Sequence, residues 1–157
     1  EPGFSALVIS MSIFGFIGGV TGVIQGQEQI NMIVHNTLRV PGHFHATVVV
    51  GTTLAFMGLS YYVVPLMTCK ALVLKSWAKV QPYIFGLGIT MVALGMLWAG
   101  IDGVPRRTAD VGGGIQGSAL NLSIMGIGAT IAVIGLLMFV IVAVSTLLYG
   151  KKQPSAA

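Results

Sequence analysis

Charge is scarce in this chain. Its 157 residues hold 8 Lys or Arg and 4 Asp or Glu, so 8% are charged, where a soluble domain carries about 25%. That deficit excludes an ordinary water-soluble domain. The formal net charge of +4 is spread too thinly to form a basic stripe, which argues against nucleic-acid binding. Cysteine is nearly absent. Cys69 stands alone, so the chain makes no internal disulfide and supplies no multi-cysteine copper or iron–sulfur site. There is no low-complexity tract, long linker or sequence repeat. The sequence starts at Glu1 with no signal-peptide pattern. A processed end, a split gene product and a trimmed chain are all compatible with that start.

What is abundant is apolar sequence, 55% of the residues. A membrane span needs about 20 apolar residues. Four stretches meet that length, near residues 4–24, 41–67, 80–100 and 115–149. They predict an all-α, polytopic integral membrane protein with four transmembrane helices. The second span follows Pro41, a good first-turn residue, and the third follows Pro82 closely and ends at Gly100. The fourth is too long for one straight span, so it tilts or opens with a surface turn through Gln116-Gly117-Ser118. Gly15, Gly51, Gly58, Gly88 and Gly95 are expected to let helices approach closely. Five lysines lie on one side of this topology, three in the 69–79 loop and two in the tail. Three arginines, Arg39, Arg106 and Arg107, lie on the other, with Glu28, Asp102 and Asp110. The bias places both termini in the cytoplasm and sets the arginine pair against the positive-inside trend.

Chemistry concentrates at Pro41-Gly42-His43-Phe44-His45. Residues i and i+2 of an α-helix lie roughly 200° apart. His43 and His45 therefore face different sides and cannot easily share one metal, but each can bind a different centre. Phe44 between them is the candidate for electron transfer, though core packing alone also explains an aromatic there. Ionisable residues at membrane depth are costly and usually functional. The bland alternative is that both histidines bond neighbouring carbonyls or line an aqueous cavity. Arg106-Arg107 falls on the side where the His43 end of the second span emerges. Two arginines there suit carboxylates such as heme propionates. The alternative is a solvated loop pair bridging to Asp102 or Asp110. His35, upstream in the loop, is open to a propionate, a metal or a proton-release role, or is only a surface residue. Met57, Met67, Met91 and Met96 read as apolar fillers rather than thioether ligands. Thr47, Thr52, Thr53 and Ser60 read as back-bonding to helix carbonyls.

At these residues the chain resembles subunit I of the heme–copper oxygen reductases. The resemblance runs through the Gly18-Gly19-Val20-Thr21-Gly22-Val23 stretch, His35-Asn36-Thr37, Pro41-Gly42-His43-Phe44-His45 and Val104-Pro105-Arg106-Arg107. The wording Val-Pro-Gly-His-Phe-His is most similar to the B-type branch, which implies a prokaryotic cytoplasmic membrane. The resemblance implies that His43 is the axial ligand of a high-spin heme and His45 one of two axial ligands of a low-spin heme. It implies that Arg106, Arg107 and His35 hold or border heme propionates. Electrons would run from the low-spin to the high-spin heme, with oxygen reduced to water and protons translocated. The family subunit has about twelve spans, and this chain resembles the last four. Copper B ligands and the second low-spin ligand belong to helices absent here. The implied partners are a chain carrying the first eight helices, subunit II, and a cytochrome c, copper-protein or quinol donor. Two positions depart from many relatives, Asn31 and Asn36 standing where aspartates occur, and Arg39 replaces a usual aromatic. A nitric oxide reductase relative and a non-catalytic four-helix heme-binding or transport protein are the competing readings.

Overall fold

The computed structural model describes residues 1–107 and 116–152. Asp110, Ile115 and the tail from residue 153 lie outside the described residues. Among the described residues, four helices are long and apolar enough to cross a membrane: α1 (Pro2–Gln25), α3 (Arg39–Thr68), α4 (Lys75–Ile101) and α5 (Ala119–Tyr149). A short helix, α2 (Glu28–Val34), follows α1. At 1.5 Å per residue the 31 residues of α5 make a rod of about 46 Å, longer than a hydrocarbon core of about 30 Å. The turn expected ahead of it is a short 3-10 helix, Gln116–Ser118.

The boundaries differ from the sequence expectation at α4. It begins at Lys75, five residues early, with Pro82 inside it. Proline removes one helix hydrogen bond, yet the turn around it is held from outside. Ala78 and Gln81 are fully buried. The Tyr61 hydroxyl donates to Gln81 Oε1 at 2.9 Å, and Gln81 Nε2 contacts Met57 Sδ at 3.3 Å. A buried amide is thereby satisfied within the helix bundle, as apolar surroundings require.

Both ends of the bundle are tied. At the lysine end, Ala71 N–H donates to Lys151 O at 2.9 Å and Val73 N–H to Thr146 Oγ1 at 3.2 Å. At the arginine end, Leu38 N–H donates to Val104 O at 2.9 Å and Arg106 N–H to Asn36 O at 2.8 Å. The connection before the histidine helix is thus laced to the one after α4.

Small residues set the packing. A Cβ built on Gly88 would sit 2.8 Å from Ala132 Cα, and one on Gly95 would sit 2.6 Å from Asn121 O. Helices α4 and α5 touch along this ridge. Gly51 accommodates the Phe14 ring, and Gly58 accommodates Ala6. Gly15 does not join them: nothing lies within 4 Å of its Cβ direction. It faces outward, which helical phase alone did not reveal.

Candidate functional site

Two stretches of π-helix interrupt the long helices. Ile13–Gly18 lies within α1 and His45–Thr53 within α3. They pack against one another. π-Helical turns are rare and are frequent at functional sites. The α-to-π change falls between His43 and His45. Thr47 follows at once, its hydroxyl donating back to His43 O at 3.0 Å, and Ser60 does the same to Phe56 O at 2.7 Å. The back-bonding reading of those two hydroxyls holds.

Both imidazoles are half-buried, and their surroundings determine where the ring protons sit. His45 Nδ1 lies 2.7 Å from Pro41 O. A carbonyl only accepts, so Nδ1 carries the proton. In the neutral ring Nε2 then presents a lone pair. His43 Nδ1 lies 2.9 Å from Thr21 Oγ1 on α1. Thr21 has one hydroxyl hydrogen, and it goes to Ile17 O at 2.6 Å. Towards His43 it therefore accepts, and His43 Nδ1 is again the donor. Among the described residues neither Nε2 makes a hydrogen bond. Each histidine is held by one nitrogen and free at the other, the arrangement that orients a metal-ligating histidine. Carbonyl bonding, set out above as the bland alternative for these rings, is present at His45. It occupies only Nδ1 and leaves the ligand position open.

The two rings take different directions. His43 turns to α1, where a Cβ on Gly22 would lie 3.0 Å from its Cε1 and 3.6 Å from its Nε2. His45 folds back along its own helix. Phe44 meets the His45 ring edge-on, centroids 6.0 Å apart at 80°, and its own side chain is half exposed.

Phe44 also lines an open groove of about 460 Å³. Leu38, Val40, Pro41 and Met96 give it apolar walls, and Arg106 and Arg107 stand at it. Met96 is wall, in keeping with its reading as filler. Arg106 Nη2 donates to Asn36 Oδ1 at 2.8 Å, and Asn36 and Arg107 both adopt positive φ, 65° and 63°. Asp102, one proposed bridge for the arginines, accepts from Ser118 Oγ at 2.6 Å and Asn121 Nδ2 at 2.9 Å; Asp110, the other, lies outside the described residues. His35 is exposed and opens into a separate hollow of about 330 Å³ with Glu28, Asn31 and Met32. The structure does not bring it into the arginine groove. Among the described residues no three His, Cys, Asp or Glu side chains gather as a metal site.

Sequence reasoning missed three parts of this site. Thr21 and Gly22 belonged to a recognised stretch, but their contacts with His43 cross 22 and 21 positions. Arg39 read as a loop-side arginine, whereas it is buried at 7% exposure. No periodicity signals either feature.

A helix bundle built for the membrane, with two imidazoles oriented for ligation beside an arginine-flanked apolar groove, is the class of protein these features define. The family description "Cytochrome C and Quinol oxidase polypeptide I" matches residues 3–137, and the chain belongs to that family. It is 32% identical over 162 residues to cytochrome c oxidase subunit 1 of Thermus thermophilus, covering 100% of this chain and 28% of that protein. It is 39% identical over 93 residues to cytochrome c oxidase polypeptide 1 of Halobacterium salinarum, covering 59% of this chain and 16% of that protein. A solved structure described as a heme-copper terminal oxidase dimer superimposes with TM-score 0.88 and 29% identity, covering 100% of this chain and 28% of that one. The chain thus spans about 28% of the length of the first of these relatives.

Proposed function

We propose that this chain is the carboxyl-terminal, four-helix part of a B-type terminal oxidase subunit I. In this reading it holds one ligand for each of two hemes, His43 for the high-spin and His45 for the low-spin centre. What supports it is the anchoring of each ring through Nδ1, to Thr21 Oγ1 at 2.9 Å for His43 and to Pro41 O at 2.7 Å for His45, with each Nε2 left without a hydrogen bond among the described residues. The hemes, with a copper ligated by helices outside this chain, supply the redox chemistry that reduces oxygen to water and drives proton movement.

The chain's own residues do the positioning. Thr21 and Pro41 O hold the two ring protons, so each ring keeps one orientation and one basic nitrogen. Phe44, the candidate for electron transfer, stands between the two histidines in sequence. Its half-exposed ring packs edge-on against His45 at the wall of the groove. Arg106 and Arg107 offer planar, permanently charged forks to propionates at the groove, and Asn36 fixes one of them. Because low dielectric strengthens charge–charge attraction, the apolar walls make these contacts count for more than on an open surface. His35 lies apart from this groove, in its own hollow with Glu28, Asn31 and Met32. The remaining helices, subunit II and an electron donor complete the assembly, with both termini of this chain cytoplasmic.

The assembled protein is expected to show two heme signals, of which carbon monoxide shifts one. A reduced-minus-carbon-monoxide difference spectrum checks it. Absence of any shift favours a non-catalytic heme or transport protein. Non-heme iron in place of copper, by metal analysis, favours a nitric oxide reductase relative.

Thr21→Val tests the positioning at His43. Valine keeps the shape and removes the acceptor. Loss of such an outer partner typically costs 10–100-fold in metal affinity. The expected result is a loss of roughly that size in retention of the carbon-monoxide-binding heme, with the other heme unchanged. Equal retention in Thr21→Val and the parent would remove Thr21 from the site.

A further inference from the structure

Arg39 is the first residue of α3, four positions before His43, and neither the heme-ligand reading nor the arginine pair uses it. Its residue is 7% exposed, and its Nε is buried without a hydrogen-bond partner. Among the described residues its guanidinium makes no ion pair and no side-chain hydrogen bond. Arginine does not deprotonate in proteins, so it cannot escape burial by becoming neutral. A buried charge without compensation is strongly unfavourable.

The backbone around it is fixed. Arg39 N–H donates to Thr37 Oγ1 at 3.3 Å. A Cβ built on Gly100 would lie 2.6 Å from both Arg39 Cα and Cβ, so only glycine lets α4 pass here. Leu38 before it is tied to Val104. The head of the helix is therefore fixed with Arg39 Nε inside it. Neither described acid at this end pairs with it. Asp102 is taken by Ser118 and Asn121, and Glu28 lines the hollow with His35.

We propose that Arg39 is a carboxylate-binding residue whose partner lies outside this chain. The planar fork suits a bidentate carboxylate. Two sources share that chemistry: a heme propionate at the arginine end, or an acidic side chain on the helices that complete the bundle. The inference rests on the assembly proposed above.

The test uses the assembled protein carrying Arg39→Gln, Arg39→Lys or Arg39→Met, with heme midpoint potentials and the thermal unfolding midpoint of the complex as readouts. Pairing to a propionate predicts that Arg39→Gln lowers one heme potential, that Arg39→Lys lowers it less, and that subunit content is unchanged. Pairing to an acidic side chain predicts unchanged potentials, a lower thermal midpoint or complex yield in Arg39→Gln and Arg39→Met, and partial rescue by lysine. Removing an unpaired buried charge is neutral or stabilising. Unchanged potentials with an equal or higher thermal midpoint in Arg39→Met would therefore overturn the proposal. If the glutamine and methionine complexes do not assemble, restored assembly in Arg39→Lys supports it, and failure there overturns it. A parent complex without a carbon-monoxide shift counts against the oxidase reading, while the thermal arm still judges Arg39.

Discussion

His45→Ala is expected to abolish the low-spin heme signal while leaving carbon monoxide binding largely in place, and His43→Ala is expected to do the reverse. The physical basis is the separation of the two rings. His43 is anchored to α1 through Thr21 at 2.9 Å, and His45 to its own helix through Pro41 O at 2.7 Å. Neither anchor involves the other ring, so one ligand is removable without reorienting its neighbour. Each substitution also opens a cavity, and large-to-small changes of this kind cost up to several kcal/mol. Complex yield must therefore be measured beside the spectra. A glutamine at each position provides a fuller side chain without an imidazole. Joint loss of both hemes at normal yield, in either alanine variant, would show that the histidines do not serve separate centres.

The second large effect concerns the chain by itself. Purified without the remaining helices, it is expected to bind no six-coordinate, bis-histidine heme. A bis-histidine site needs two imidazoles on opposite faces of one iron. His43 turns to α1, His45 turns along α3, and His35 sits exposed in a hollow with Glu28, Asn31 and Met32. No two of the three converge. The outer faces of α1 are open as well: Phe16 is 75% and Val23 72% exposed. Visible spectroscopy after heme addition decides it. A low-spin bis-histidine spectrum from the chain alone would overturn the assembly reading, whereas its appearance only on adding the missing helices supports it.

Much of the fold was legible because its cause is local. A run of about 20 apolar residues has few stable alternatives to a helix in lipid, since backbone groups must be satisfied within the segment. Four such runs gave four helices at nearly the expected limits, and the turn before α5 followed from Gln116-Gly117-Ser118. The start of α4 was misjudged because a proline was read as a boundary. Tertiary contacts at Ala78 and Gln81 carry the helix past it.

The sequence by itself determined which chemistry was available: three histidines, three arginines at one end, one cysteine, and a His-Phe-His triplet at the head of a span. Composition and spacing fix these because they do not depend on what folds against what. The tertiary structure decided what those residues do with their protons and charges. Only the approach of α1 to α3 puts Thr21 against His43 and Gly22 beside its ring. Only the lacing of residues 36–38 to 104–106 joins Asn36 to Arg106 and closes Arg39 behind Gly100. These contacts span some 20 to 70 positions. They arise from close helix approach at small residues, which sequence periodicity allows at many places and the packed bundle realises at a few.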